Sequence, residues 1–174
     1  MLGVEFGQKN YVLTILKDVE DEVYRNSSLQ FKFPWFNDRD FIEERLARQI
    51  RLNRNECEQL DAAASVLRGW VLSNAANYKT PPSPTDCRML AFGQIRPSTV
   101  VTDDLSMHQL ADEFLIPVWH GYELLKKMHS AKMVASGQVR EIFEALEING
   151  DLPRSWKMAK HKEFVKIFGK SSKN

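Results

Sequence analysis

The stretch from Ser98 to Trp119, STVVTDDLSMHQLADEFLIPVW, constrains the fold more than any other part of the chain. Its β-branched run over 99–102 reads as a strand. Met107, Leu110, Ala111 and Phe114 then recur at i, i+3, i+4 and i+7, the apolar face of one helix. The segment 116–119, IPVW, reads as a second strand. A lone helix between two strands carries the chain back to where it started, so the strands must be parallel and the crossover right-handed. An α/β fold follows.

The remaining segments can be fitted around that unit. Residues 11–16, YVLTIL, form a short apolar run and predict a buried strand. Asp18 is placed to cap a helix over about 19–26. Ile42, Leu46 and Ile50 recur at four-residue steps, as do Cys57, Leu60, Ala64, Leu67 and Val71. A helical hairpin over about 36–80, broken near Asn53–Asn55, is expected. After the TPPSP stop, Ser83 caps a helix whose first position is Pro84. Further helices are expected over roughly 121–130, 137–148 and 156–169. The expected organisation is a domain over 1–150, with the hairpin as an insertion, and a basic C-terminal helix and tail over 151–174.

Charge sets that last segment apart. The chain carries 24 basic and 23 acidic residues, yet from Gly150 onward seven Lys and Arg face only Asp151 and Glu163. A tail of this kind can aid binding to a polyanion, through Lys157, Lys160, Lys162 and Lys166, and a solvated helix face looks the same. Arg45, Arg48, Arg51 and Arg54 recur at three-residue steps. They suit RNA phosphates or an acidic partner, or pairing with Glu43, Glu44 and Glu56 on a solvated helix. No apolar run is long enough for a membrane span, and MLGVEFGQKN lacks the features of a secretory signal. Cys57 and Cys87 form no paired motif, and the four histidines have no metal-ligand spacing. A cytoplasmic protein without a membrane partner is expected.

Carboxylates are the candidate chemistry. Asp103 and Asp104 end a strand, the edge where sites form in parallel sheets. Either can also cap the helix that follows. Asp86 leans along the buried side of its helix and stands in the S-x-x-D relation to Ser83, a capping box. Glu22 rides the edge of an apolar helix face, where an acidic first turn is also ordinary. Together such groups repel unless a cation sits among them, and hard oxygen donors suit Mg2+ or Mn2+.

The segment PTDCRMLAFGQIRPSTVVTDDLSMHQLADEFLIPVW resembles the motif run of PIN domains, the metal-dependent nuclease fold of many toxins in toxin–antitoxin pairs. The following YELLKKMHSAKMVASGQVREIFEALEINGDLP resembles the helical continuation in one branch of that family. Asp86 matches the helix-borne aspartate, Asp104 the aspartate two after the strand-ending Thr102, and Glu22 the glutamate of the early helix. The resemblance implies a PIN-like parallel sheet flanked by helices. It also implies Mg2+- or Mn2+-dependent hydrolysis of RNA, with Glu22, Asp86 and Asp104 as catalytic metal ligands and Thr102 orienting the loop or substrate. Asp103 falls on the variable position and is secondary. An antitoxin protein is the implied partner, and a homodimer is an open assembly.

One departure matters. The family opens on a central strand ending in its first catalytic aspartate, and nothing before Tyr11 supplies it. One of three remedies is expected for the orphaned strands, the first before the others: an upstream start, a strand from a partner, or direct pairing of 11–16 with 99–102. With that ligand absent, the chain is expected to be a poor nuclease. A PIN-like scaffold that binds protein or RNA without cleaving is the alternative reading.

Overall fold

Val100–Val101 (β3), Leu105–Glu113 (α6) and Val118–Trp119 (β4) form the strand–helix–strand unit that the sequence predicts. In this computed structural model, which describes residues 2–170, the Val100 amide donates to the Pro117 carbonyl and the Thr102 amide to that of Trp119, both at 3.0 Å. Donor and acceptor advance together, so the pair is parallel. Met107, Leu110 and Ala111 are buried, as the spacing requires.

The molecule is mostly helical and its strands are short. Glu5–Phe6 (β1) pairs with Tyr11–Val12 (β2), and these two pairs are separate sheets among the described residues. The strand expected over 11–16 therefore ends after two residues, and it does not pair with 99–102. Helices follow at Lys17–Arg25 (α1), Ser27–Lys32 (α2), Arg39–Ala47 (α3), Arg54–Ser73 (α4) and Pro84–Ile95 (α5). Beyond β4 come Gly121–Ser130 (α7), Ser136–Ile148 (α8), Arg154–Lys160 (α9) and Val165–Phe168 (α10).

Two compact units divide the chain. The first comprises the start through Glu5, Val12–Val100 and Asp104–Pro117; the second comprises Phe6–Tyr11, Val101–Asp103 and everything from Val118 onward. In the first, α4 buries Leu60, Leu67 and Val71 and α5 buries Cys87, Leu90 and Ala91. A Cβ on Gly93 would lie 2.9 Å from Val100 and 3.1 Å from Ile116, so α5 reaches the strand layer only because that residue lacks a side chain. In the second, Phe143 meets the rings of Trp156, Phe164 and Phe168 at 5.2, 5.4 and 5.0 Å. Trp156, Ala159, Phe164 and Ile167 are all buried, so the lysine-rich segment contributes core as well as charge.

Several local expectations are corrected. Asp18 does not cap α1; the N-cap position is Leu16, and Asp18 pairs inside the first turn with Arg88 at 2.6 Å. Leu46 is 60% exposed, whereas Arg45, one residue earlier, is 4% exposed. The Arg45 guanidinium donates to Glu20, the Phe36 carbonyl and the Tyr24 hydroxyl, and it lies 3.9 Å from the Phe36 ring centroid. With its charge and donors satisfied inside, this arginine replaces leucine as the inward residue of α3. Arg45 is thus withdrawn from any arginine surface, and Arg54 pairs with Glu58. The helix expected over 156–169 breaks at 161–164, where the Glu163 and Phe164 amides both return to the Ala159 carbonyl and Phe164 enters the core.

Candidate functional site

Glu22 and Asp86 come from two helices of the first unit, α1 and α5. Both are half-buried. Burial, and then the negative charge of Asp86, push the Glu22 carboxyl above its usual range. Among the described residues, Glu22 has neither an ion pair nor a hydrogen bond to relieve this. A shallow cleft at the same place is lined by Asp18, Asp21, Glu22, Arg25, Thr85 and Arg88.

Asp86 also performs the capping role that its spacing suggests. Its Oδ2 accepts from the Ser83 amide at 2.7 Å, while the Asp86 amide donates to the Ser83 hydroxyl at 3.1 Å. The two groups close the N-terminus of α5 reciprocally. Arg88, one turn away from Ser83 on α5, is divided between Asp18 and Asp61.

Asp104 is the N-cap of α6. Its Oδ1 accepts from the Ser106 and Met107 amides at 2.7 and 3.1 Å. Among the described residues, no three His, Cys, Asp or Glu side chains gather into a group that could hold a metal ion. Asp86 thus lies near enough for its charge to act on Glu22, and Asp104 completes no three-ligand group with them among the described residues. Thr102 holds the parallel pair through its amide.

Asp103, secondary in the sequence, is held by two ring nitrogens. In the second unit its Oδ2 accepts from Trp156 Nε1 at 2.8 Å, and its Oδ1 lies 3.2 Å from His120 Nδ1. A Cβ on Gly121 would fall 2.8 Å from both Asp103 Oδ2 and Trp156 Cζ2. A side chain where α7 begins would therefore press on both groups, and glycine avoids this. His120 stacks on Tyr122, with centroids 5.4 Å apart and planes 16° apart.

Sequence reasoning missed His120 and Trp156 as partners of Asp103. His120 was legible in one respect: it directly follows the strand-ending Trp119, at the edge where parallel sheets gather polar groups. Trp156 gave no signal, because it lies 53 residues from Asp103. The lysine segment is partly neutralised: Lys160 pairs with Glu147 at 3.3 Å, whereas Lys157, Lys162 and Lys166 are exposed.

Among the described residues, no helix is long and apolar enough to cross a membrane. No protein-family model, curated protein or solved structure matches the chain.

Proposed function

We propose that the chain is a PIN-like endoribonuclease dependent on Mg2+ or Mn2+, acting as the cytoplasmic toxin of a toxin–antitoxin pair. Glu22 and Asp86 are its metal-facing carboxylates. The observation that carries this reading is a half-buried Glu22 with no ion pair or hydrogen bond among the described residues, its carboxyl raised by burial and then by the charge of Asp86. Keeping such a pair costs stability, which a functional role explains.

The fit to a divalent cation extends to this pair. Mg2+ is commonly held by one or two carboxylates together with waters and substrate phosphates, so two hard oxygen donors suffice in kind. A cation of this type supplies positive charge and water activation for phosphodiester hydrolysis. Glu22 and Asp86 would hold it. The Ser83 amide, donating to Asp86 Oδ2, fixes the rotamer of that ligand. Exposed Lys157, Lys162 and Lys166 are available to phosphates of an RNA substrate. An antitoxin would act by covering the pair, and a homodimer is compatible with this role.

A second reading is favoured by Asp104. Its Oδ1 already serves two amides of α6, and it joins no three-acid group among the described residues. A PIN-like scaffold that binds RNA or protein without cleaving it would need nothing more. A cleavage assay separates the two, using fluorescent RNA, the purified chain and its Asp86→Asn and Asp104→Asn variants, with and without Mn2+. Weak Mn2+-dependent cleavage that Asp86→Asn abolishes supports the nuclease. Retained RNA binding with no cleavage supports the scaffold. Cleavage indifferent to Mn2+ and to Asp86→Asn overturns the proposal.

A further inference from the structure

The second unit contains a cleft of about 650 Å³, lined by the Gly7–Lys9 turn, Tyr11, Tyr122, Lys126 and Lys127. We propose that it binds a nucleoside phosphate, with the base against the tyrosines and the phosphate on Lys9 and Lys127. The proposal does not rest on the carboxylate pair of the first unit or on the nuclease reading.

Charge ownership inside the cleft points to an anion. Glu123 and Glu163 are the acids on its wall, and both are engaged. Glu163 accepts from Lys126, and Glu123 Oε2 accepts from the His120 amide at 2.8 Å. Lys127 is held by rings instead of a carboxylate: its Nζ lies 4.4 Å from the Trp119 centroid and 5.4 Å from that of Tyr11. Lys9 is exposed and has no acid partner among the described residues. The wall therefore sets three lysines against two acids, and neither Lys9 nor Lys127 is ion-paired among the described residues, which leaves a net positive charge for a phosphate.

The rings point to a flat ligand. Tyr11 is fixed edge-on against Trp119 at 5.1 Å and tilted against Phe6 at 5.8 Å. Tyr122 is fixed by the His120 stack and by an edge contact to Trp156 at 6.4 Å. Rings already immobilised lose little freedom when a base stacks on them. Burial, and then the nearby Glu123, Glu163 and Asp103, raise the Tyr122 hydroxyl above its ordinary range. The turn that presents Lys9 is set by Gly7 at φ +70 and Asn10 at φ +50, closed by the Asn10 amide on the Gly7 carbonyl. The cleft volume lies within the usual range for small-ligand sites. An acidic peptide would use the lysines and leave the tyrosine faces idle.

Isothermal titration of the full chain with adenosine 5′-monophosphate, adenosine, inorganic phosphate, a 5′-phosphorylated trinucleotide and oligoglutamate tests this. Saturable binding of the monophosphate is expected, with adenosine and phosphate each weaker by about tenfold or more. Lys9→Gln lies on an exposed turn and keeps the fold; it should weaken binding about threefold to tenfold, and Lys9→Gln with Lys127→Gln further. Lys157→Gln with Lys162→Gln should change nothing. A trinucleotide that binds more tightly than the monophosphate identifies a strand as the source, and equal binding identifies a free nucleotide. The proposal is overturned if neither nucleotide binds, if inorganic phosphate matches the monophosphate, if oligoglutamate alone binds, or if both lysine variants keep wild-type affinity.

Discussion

Two acidic places in this molecule obey opposite rules. Around Asp103, each carboxylate oxygen meets a ring N–H position, from Trp156 and from His120, and Gly121 makes room for the approach. Around Glu22, a half-buried carboxylate feels the charge of Asp86 and makes no ion pair or hydrogen bond among the described residues. The first arrangement stabilises the fold by satisfying what it buries, while the second opposes folding and needs another reason to exist. Sequence alone ranked them the other way, with Asp103 as an accessory to Asp104.

The largest expected effect is at the satisfied site. Asp103→Leu removes the acceptor of the Trp156 indole N–H and the carboxylate beside His120 Nδ1, at a cost of about 1–3 kcal/mol. In a chain of this size that lowers Tm by about 2–12 °C. Asp103→Asn, which keeps one acceptor oxygen, should cost less. Gly121→Ala, by pressing a methyl on Asp103 and Trp156, should cost about 1–3 kcal/mol. Calorimetry that finds Asp103→Leu as stable as wild type would remove the structural role assigned to this carboxylate.

A smaller effect of opposite sign belongs to the repelling pair. A carboxyl raised in the folded state holds its proton more tightly there than in the unfolded chain. Its contribution therefore favours folding below the ordinary carboxyl pKa, and it becomes a penalty as pH rises through the raised folded value. Glu22→Gln should remove that slope and raise Tm at neutral pH by about 1–2 °C. A lower Tm for Glu22→Gln at pH 7, or an unchanged pH profile, would mean that the repulsion is not felt.

The smallest effect concerns ion pairs on the surface. Lys126 and Glu163 are a close pair, yet their side chains are 50% and 34% exposed. Lys126→Gln should therefore move stability by no more than about 0.5 kcal/mol, within the range for solvated pairs. A loss several times larger in urea unfolding would show that this pair, and not the Asp103 knot, holds its part of the second unit.

How much of this was legible depends on the range of the interaction. The β3–α6–β4 unit could be read because both strands and the face of α6 are encoded within 22 consecutive residues. The caps at Ser83, Asp86 and Asp104 were readable for the same reason, being bonds across two or three residues. Arg45 was not, because its burial depends on Glu20, Tyr24 and Phe36, and no local period announces an inward arginine. The Asp103 partners lie 17 and 53 residues away, beyond any spacing rule. The grouping of Glu22 with Asp86 was proposed only from the PIN resemblance, since no spacing rule joins residues 64 positions apart.

The central claim is that Glu22 and Asp86 face each other to receive a divalent cation. The direct test is thermal unfolding of the wild type and of the Glu22→Gln, Asp86→Asn double variant across a Mn2+ titration, with Asp103→Asn as a control outside the pair. Mn2+ at about a hundred times its dissociation constant should add about 2.7 kcal/mol to the wild type, a rise of about 5–10 °C in Tm. The double variant should start higher than wild type without metal and show no response, while Asp103→Asn should respond as wild type does. A wild-type Tm that ignores Mn2+, or a double variant that responds as strongly as wild type, would contradict the claim.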